Sequence, residues 1–213
     1  KHRGQRFRVC YFQPESALNQ KDAQRYAQNE ITCNRQWFYS DTTHNSVDMV
    51  LAVNGIPVFA FELKNQFTGQ TVENAKQQWM HDRDPREVCF QFNKRILGYF
   101  CVDLTEVWMA TRLAGKGTRF LPFNQGSNGA GVTGGAGNPQ NPNGYATSYL
   151  WEEVLQRDSL LDLIHRFISF AKEKEEVVKN GVSKTVTKEK MIFPRYHQYD
   201  VVRKIMADVK HNG

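Results

Sequence analysis

The stretch VDMVLAVNGIPVFAFELKN constrains the fold more than any other part of the chain. Two runs of β-branched, apolar and aromatic residues, 47–53 and 58–64, meet at Asn54-Gly55-Ile56-Pro57. Runs of this length and composition read as strands, and Asn-Gly between them reads as a hairpin turn because both residues tolerate positive φ. Side chains alternate across a strand, so Glu62 and Lys64 share one face while Phe59, Phe61 and Leu63 share the other. One face is apolar and the other is charged.

Asp48 lies near the start of the first run, fourteen residues before Glu62 and within reach as its cross-strand neighbour. Two carboxylates to hold a divalent cation and a lysine to orient water or steady developing charge are what metal-assisted phosphodiester hydrolysis requires. Register decides whether they can meet. A regular two-residue Asn54-Gly55 turn sets Asp48 opposite Phe61, on the apolar side, so a shared metal requires a three- or five-residue loop or a bulge. A surface ion-pair cluster on an edge hairpin is the competing reading of the same three residues.

Around the hairpin the pattern is mixed α/β up to about residue 124. TVENAKQQWMHDR reads as a helix with Thr71 as N-cap and Val72, Ala75 and Trp79 on one face. Residues 96–102 and 106–113 read as two further strands. Residues 126–144 hold seven Gly and two Pro and read as a loop. Helical spacing returns at Leu150 and Val154 and again at Leu160, Leu163, Ile164, Phe167 and Ile168, predicting two short helices broken near Arg157-Asp158. The charge run 172–190 reads as a solvated linker, or as a small hairpin around Asn180-Gly181. Residues 191–213 open a new amphipathic helix that no strand completes, which reads as the start of a second domain.

A length of 213 residues suits one sizeable core, and 28 Lys and Arg against 22 Asp and Glu leave a net charge of +6, which tilts toward a polyanionic partner. The longest apolar runs fall far short of the roughly 18 residues a membrane span needs. The N-terminus lacks an apolar signal region, so the expected setting is intracellular, with no membrane partner. Cys10, Cys33, Cys89 and Cys101 form no Cys-x-x-Cys pair and read as reduced, mostly buried thiols. His44, His81, His165 and His197 have no metal-ligand spacing.

The string Asp-x5-Asn-Gly-x-Pro-x4-Glu-x-Lys, Asp48 to Lys64, resembles the nuclease core of the R subunit of type I restriction-modification enzymes, a PD-(D/E)xK family. The similarity continues through TVENAKQQW, through FQFNKRILGYFCVDLTEVWMATRLAGKGTRFLPFNQG and through FPRYHQYDVVRK. The resemblance implies an α/β fold with a restriction-endonuclease-like core, a mixed β-sheet flanked by helices, over residues 1–171. A charged linker at 172–190 and the start of a truncated helicase or translocase domain at 191–213 would follow. It implies a Mg²⁺-dependent endonuclease acting on unmodified double-stranded DNA after ATP-driven translocation. The partners would be methyltransferase and specificity subunits, in a prokaryotic cytoplasm.

Residue by residue, Asp48 and Glu62 match the family's metal-binding acids, Lys64 its catalytic lysine, and the Leu63 carbonyl a further metal ligand. Gln78 matches the glutamine of a Gln-x-x-x-Tyr motif shared with RecB-type nucleases, although Asp82 stands at the tyrosine position, and the frame Gln77 with His81 fits no better. Glu30 is an accessory acid on an N-terminal helix or a solvated residue of it. FPRYHQ resembles an adenine-recognising motif, with Gln198 on the adenine edge and Tyr196 or Phe193 stacking. ATP would serve only the full-length protein, since no phosphate loop is present: Lys116 follows Gly115, but Ala110 and Gly117 break the pattern. A catalytically degenerate module that docks a helicase-like motor onto DNA or a protein partner is the alternative function.

Overall fold

In the computed structural model, residues 8–16, 18–179 and 182–212 are described. The expected hairpin is the centre of the molecule: β2 (Ser46–Val53) and β3 (Ile56–Leu63) are antiparallel and joined by Asn54 and Gly55 at φ 49 and 78. Both turn residues are therefore left-handed, as a type I′ turn requires. The Asn54 side chain ties the turn down, accepting from the Glu30 N–H at 2.7 Å and donating to the Val9 carbonyl at 2.8 Å.

Outside β2 lies β1 (Ile31–Phe38), which follows the short helix α1 (Gln20–Ala27). On the other side β3 pairs in parallel with β4 (Gly98–Val102), and antiparallel β5 (Val107–Ala110) and β6 (Leu121–Pro122) complete a six-stranded sheet in the order β1-β2-β3-β4-β5-β6. Parallel neighbours need a crossover. Helix α2 (Val72–His81) provides it, with the expected Thr71 cap: the Thr71 hydroxyl accepts from the Glu73 N–H and Asn74 Oδ1 from the Thr71 N–H. Val72, Ala75 and Trp79 are buried against one sheet face with Val50, Ala60, Tyr99 and Cys101, and the Trp79 indole donates to the Phe100 carbonyl at 3.1 Å.

The opposite face carries Phe59, Phe61 and Phe100 beneath Phe123, Tyr149, Leu150 and α3 (Arg157–Asp162). Two π-helical turns, Leu150–Val154 and Leu163–Phe167, flank α3, so the break falls at Leu155 and Gln156, just ahead of the expected position. Residues 126–144 contain no helix or strand, and Asn138 pins them by accepting from the Gln125 N–H and donating to the Thr105 carbonyl, both at 2.8 Å.

Of the two readings of 172–190, the structure shows the hairpin in place of the linker. These residues belong to a two-stranded ribbon, β7 (Ser169–Lys179) with β8 (Val182–Ile192); the expected turn residues Asn180 and Gly181 lie outside the described residues. Pairs such as Lys172–Glu189 and Lys188–Glu175 face each other across it, so alternating charges that look like a solvated run satisfy one another between strands. Helix α4 (Tyr196–Asn212) follows and tucks Tyr196 and Tyr199 into the core. Cys89 and Cys101 are buried, Cys10 is half-buried, Cys33 is exposed, and none is in a disulfide. No helix among the described residues is long and apolar enough to cross a membrane.

Candidate active site

A bulge decides what the hairpin can do. Next to the turn Val53 pairs with Ile56 and Ala52 with Pro57, but Leu51, Val50 and Met49 pair with Phe59, Ala60 and Phe61. Val58 is the extra residue on β3. Continued by one step, the shifted register sets Asp48 opposite Glu62, on the face where Ala60 meets α2. The two-residue turn alone would have sent Asp48 to the phenylalanine side; the added residue turns the strand over.

Asp48 is anchored from both neighbouring strands. Its Oδ2 accepts from the Leu63 N–H at 2.8 Å, and the Lys64 ammonium lies 3.8 Å from the same oxygen. From β1, Gln36 Nε2 reaches Oδ1 at 3.5 Å, while Gln36 Oε1 accepts from the Ser46 hydroxyl at 3.2 Å. Gln36 sits opposite Asp48 at φ 48, a left-handed conformation inside a strand. Strain of this kind persists where surrounding contacts hold it. The Lys64 side chain is only 7% exposed, so its charge is confined beside Asp48.

Glu62 is completely buried. Arg83, just beyond α2, donates from Nε at 2.9 Å and Nη2 at 2.7 Å, and both bonds go to Oε1. Burial pushes the Glu62 carboxyl up to about 7; Arg83 pulls against that shift, and the nearby Asp48 charge adds to it. Glu62 Oε2 is buried without a hydrogen-bond partner, and so is Gln78 Oε1 on α2. These are the two buried side-chain atoms left unpaired among the described residues, and both belong to residues singled out from the sequence.

An unpaired buried carboxylate oxygen is costly unless something of positive charge meets it. The donor set therefore fits a small divalent cation, which Asp48 and Glu62 would hold, with neutral oxygens and water completing its shell. No group of three or more His, Cys, Asp or Glu that could hold a metal occurs among the described residues, so such a cation would rest on two carboxylates.

The remaining expected residues lie elsewhere. Glu30 is not on a helix: it precedes β1 and its backbone pairs with Asn54, at the turn end of β2, whereas Asp48 lies near the other end. Tyr196 and Gln198 are on α4, and Tyr196 packs on the sheet face opposite Glu62. Tyr196 is 3% exposed, its ring packed edge-on against Phe123 and Tyr149, and its hydroxyl accepts from Gln125; a stacked base would have to displace those rings. Gln198 is exposed, with Oε1 accepting from the Arg195 N–H at 2.9 Å. Arg83 and Gln36 complete the site without any local pattern announcing them.

The family model Type I restriction enzyme R protein N terminus (HSDR_N) matches residues 9–120. No curated protein and no solved structure matches the chain. The family match covers more than half of the sequence and includes every residue from Gln36 to Arg83, so the chain belongs to the family of type I restriction enzyme R protein N termini.

Proposed function

We propose that this chain is a Mg²⁺-dependent endonuclease domain that hydrolyses phosphodiester bonds of unmodified double-stranded DNA. The observation that carries this reading is the bulge-set juxtaposition of Asp48 with Glu62, whose Oε2 is buried and unpaired, beside Lys64. When bound, the cation supplies positive charge against the phosphate and makes a bound water more acidic. Asp48 and Glu62 hold it, with the Leu63 carbonyl as a further ligand. The Lys64 ammonium, kept beside Asp48, orients the attacking water or steadies charge developing on the phosphate oxygens. Gln78, with a buried oxygen to offer, supports the site from α2.

Cleavage in this reading follows ATP-driven translocation by the complete enzyme, with methyltransferase and specificity subunits as partners. ATP belongs to the motor, and Gln198, exposed on α4, is the residue that would meet an adenine edge. The test is cleavage of supercoiled plasmid by the complete enzyme with Mg²⁺ and ATP: Asp48→Ala and Lys64→Ala should each abolish cutting, and retained cutting overturns the assignment.

A second reading has one observation in its favour. Arg83 already neutralises Glu62, as a degenerate site that only docks onto DNA or a protein partner would tolerate. Calorimetric titration with Mn²⁺ separates the two, because the docking module has no need to bind the ion.

A further inference from the structure

Arg83 holds Glu62 in an uncommon way. A guanidinium facing a carboxylate ordinarily forms two parallel bonds, one to each oxygen. Here Nε and Nη2 converge on Oε1, at 2.9 and 2.7 Å, and Oε2 is left alone. The arrangement has little freedom to relax. Arg83 is 9% exposed, Glu62 is 0% exposed, and the guanidinium carbon lies 5.8 Å from the centre of the Tyr39 ring. A planar fork fixed on one oxygen leaves the other as the single point at which this carboxylate can be shared.

We infer that Arg83 is a positioning residue that makes Glu62 a one-oxygen ligand and thereby selects small divalent cations over calcium; the inference rests on the metal-dependent reading above. Mg²⁺ and Mn²⁺ favour six-fold shells in which each carboxylate gives one oxygen. Ca²⁺ takes more oxygens, at longer distance, and gains from carboxylates that give two. With Oε1 occupied by two N–H donors, Glu62 cannot supply the second oxygen. Arg83 also repels any cation, but Mn²⁺ and Ca²⁺ carry the same charge. That repulsion cancels in the ratio of their affinities, which isolates the number of oxygens offered.

The experiment is calorimetric titration of the metal-free chain with Mn²⁺ and, separately, with Ca²⁺, for the wild type, Arg83→Gln and Arg83→Lys. Circular dichroism and thermal unfolding establish that each variant is folded. The wild type is expected to prefer Mn²⁺, and Arg83→Gln to narrow that preference by about tenfold or more, the scale on which outer partners tune metal ligands. Arg83→Lys keeps the charge without the fork and should narrow it as well, which identifies the fork and not the charge as the cause. If Arg83→Gln is unfolded, Arg83→Lys decides alone. An unchanged ratio in the folded variants overturns the inference and leaves the metal site intact. Failure of the wild type to bind Mn²⁺ overturns the metal-dependent reading, and this inference with it.

Discussion

Asp48 and Glu62 face each other across β2 and β3 because Val58 adds one residue to β3 between the turn and the site. The bulge also sets their inequality. Asp48 is partly exposed and hydrogen-bonded to the Leu63 N–H, while Glu62 is sealed beneath α2 and carries an unpaired oxygen. Conservative removal of one charge should therefore disable the site without dismantling the sheet. Asp48→Asn is expected to lower Mg²⁺-dependent cleavage by the complete enzyme by at least ~100-fold, the scale for losing one electrostatic contributor to a transition state. Far-ultraviolet circular dichroism and the unfolding midpoint should stay close to wild type, since Asp48 contributes no core volume.

The Glu62 carboxyl gives the metal-free protein a distinctive pH response. Its pKa rises from 4.5 when unfolded to about 7 when folded, so between those values the folded state binds more protons than the unfolded state. Stability from this group is fully present below about 4.5 and is lost as pH rises toward 7. The expected loss is a few kcal/mol, on the scale of about 1.4 kcal/mol per pK unit. Urea unfolding of the metal-free chain at pH 5 and pH 8 checks it: the wild type should lose stability over that interval relative to Glu62→Gln. Adding Mg²⁺ at pH 8 should recover part of the loss in the wild type alone, because a ligand of the folded state stabilises it.

What the sequence made legible was local. The Asn-Gly turn, the alternation of β3, the Thr71 cap and the Val72, Ala75 and Trp79 face of α2 depend on residues a few positions apart, and all occur as expected. The bulge was open only as a requirement. Pro57 could have signalled it, because a proline on an interior strand lacks the N–H a ladder needs and belongs at a bulge. Arg83 was illegible because it reaches Glu62 across a whole crossover helix, 21 residues away. β1 was missed because ITCNRQWF is largely exposed and alternates weakly, and the β7–β8 ribbon stayed one of two readings because its charges pair only after the ribbon forms. In each case the deciding contact is one that a window along the chain does not contain.

Asp103 should be the most consequential carboxylate outside the site. Oδ1 accepts the N–H groups of Thr105 at 2.8 Å and Glu106 at 2.9 Å, and Oδ2 accepts that of Val72 at 3.1 Å, joining the β4–β5 turn to the start of α2. Burial disfavours its ionised form, but those N–H groups outweigh burial and hold its pKa below the ordinary carboxylate value. Its contribution is thus present above the unfolded pKa of 3.8 and is lost as pH falls below it. Asp103→Ala is expected to cost about 2–3 kcal/mol at pH 7, since three N–H groups and the Thr105 hydroxyl lose a charged acceptor. Chemical denaturation at pH 7 and pH 3 should show the difference from wild type shrinking at the lower pH.

Asn54 tests whether stability and site can be separated. It occupies a left-handed position and its side chain bonds the Glu30 N–H, the Val9 carbonyl and Asn29 Oδ1. Asn54→Gly keeps the backbone conformation and loses those bonds; Asn54→Ala loses the bonds and meets the steric cost of φ near 49 as well. Destabilisation should therefore rise in that order, by roughly 1 and 2 kcal/mol in denaturant unfolding. The turn lies at the end of β2 away from Asp48, and the bulge at Val58 stands between it and Glu62. Mn²⁺ affinity measured on the folded variants should remain within about twofold of wild type, because sites without shared partners respond independently. A larger change would mean that the turn, and not the bulge alone, sets the register that brings the two carboxylates together.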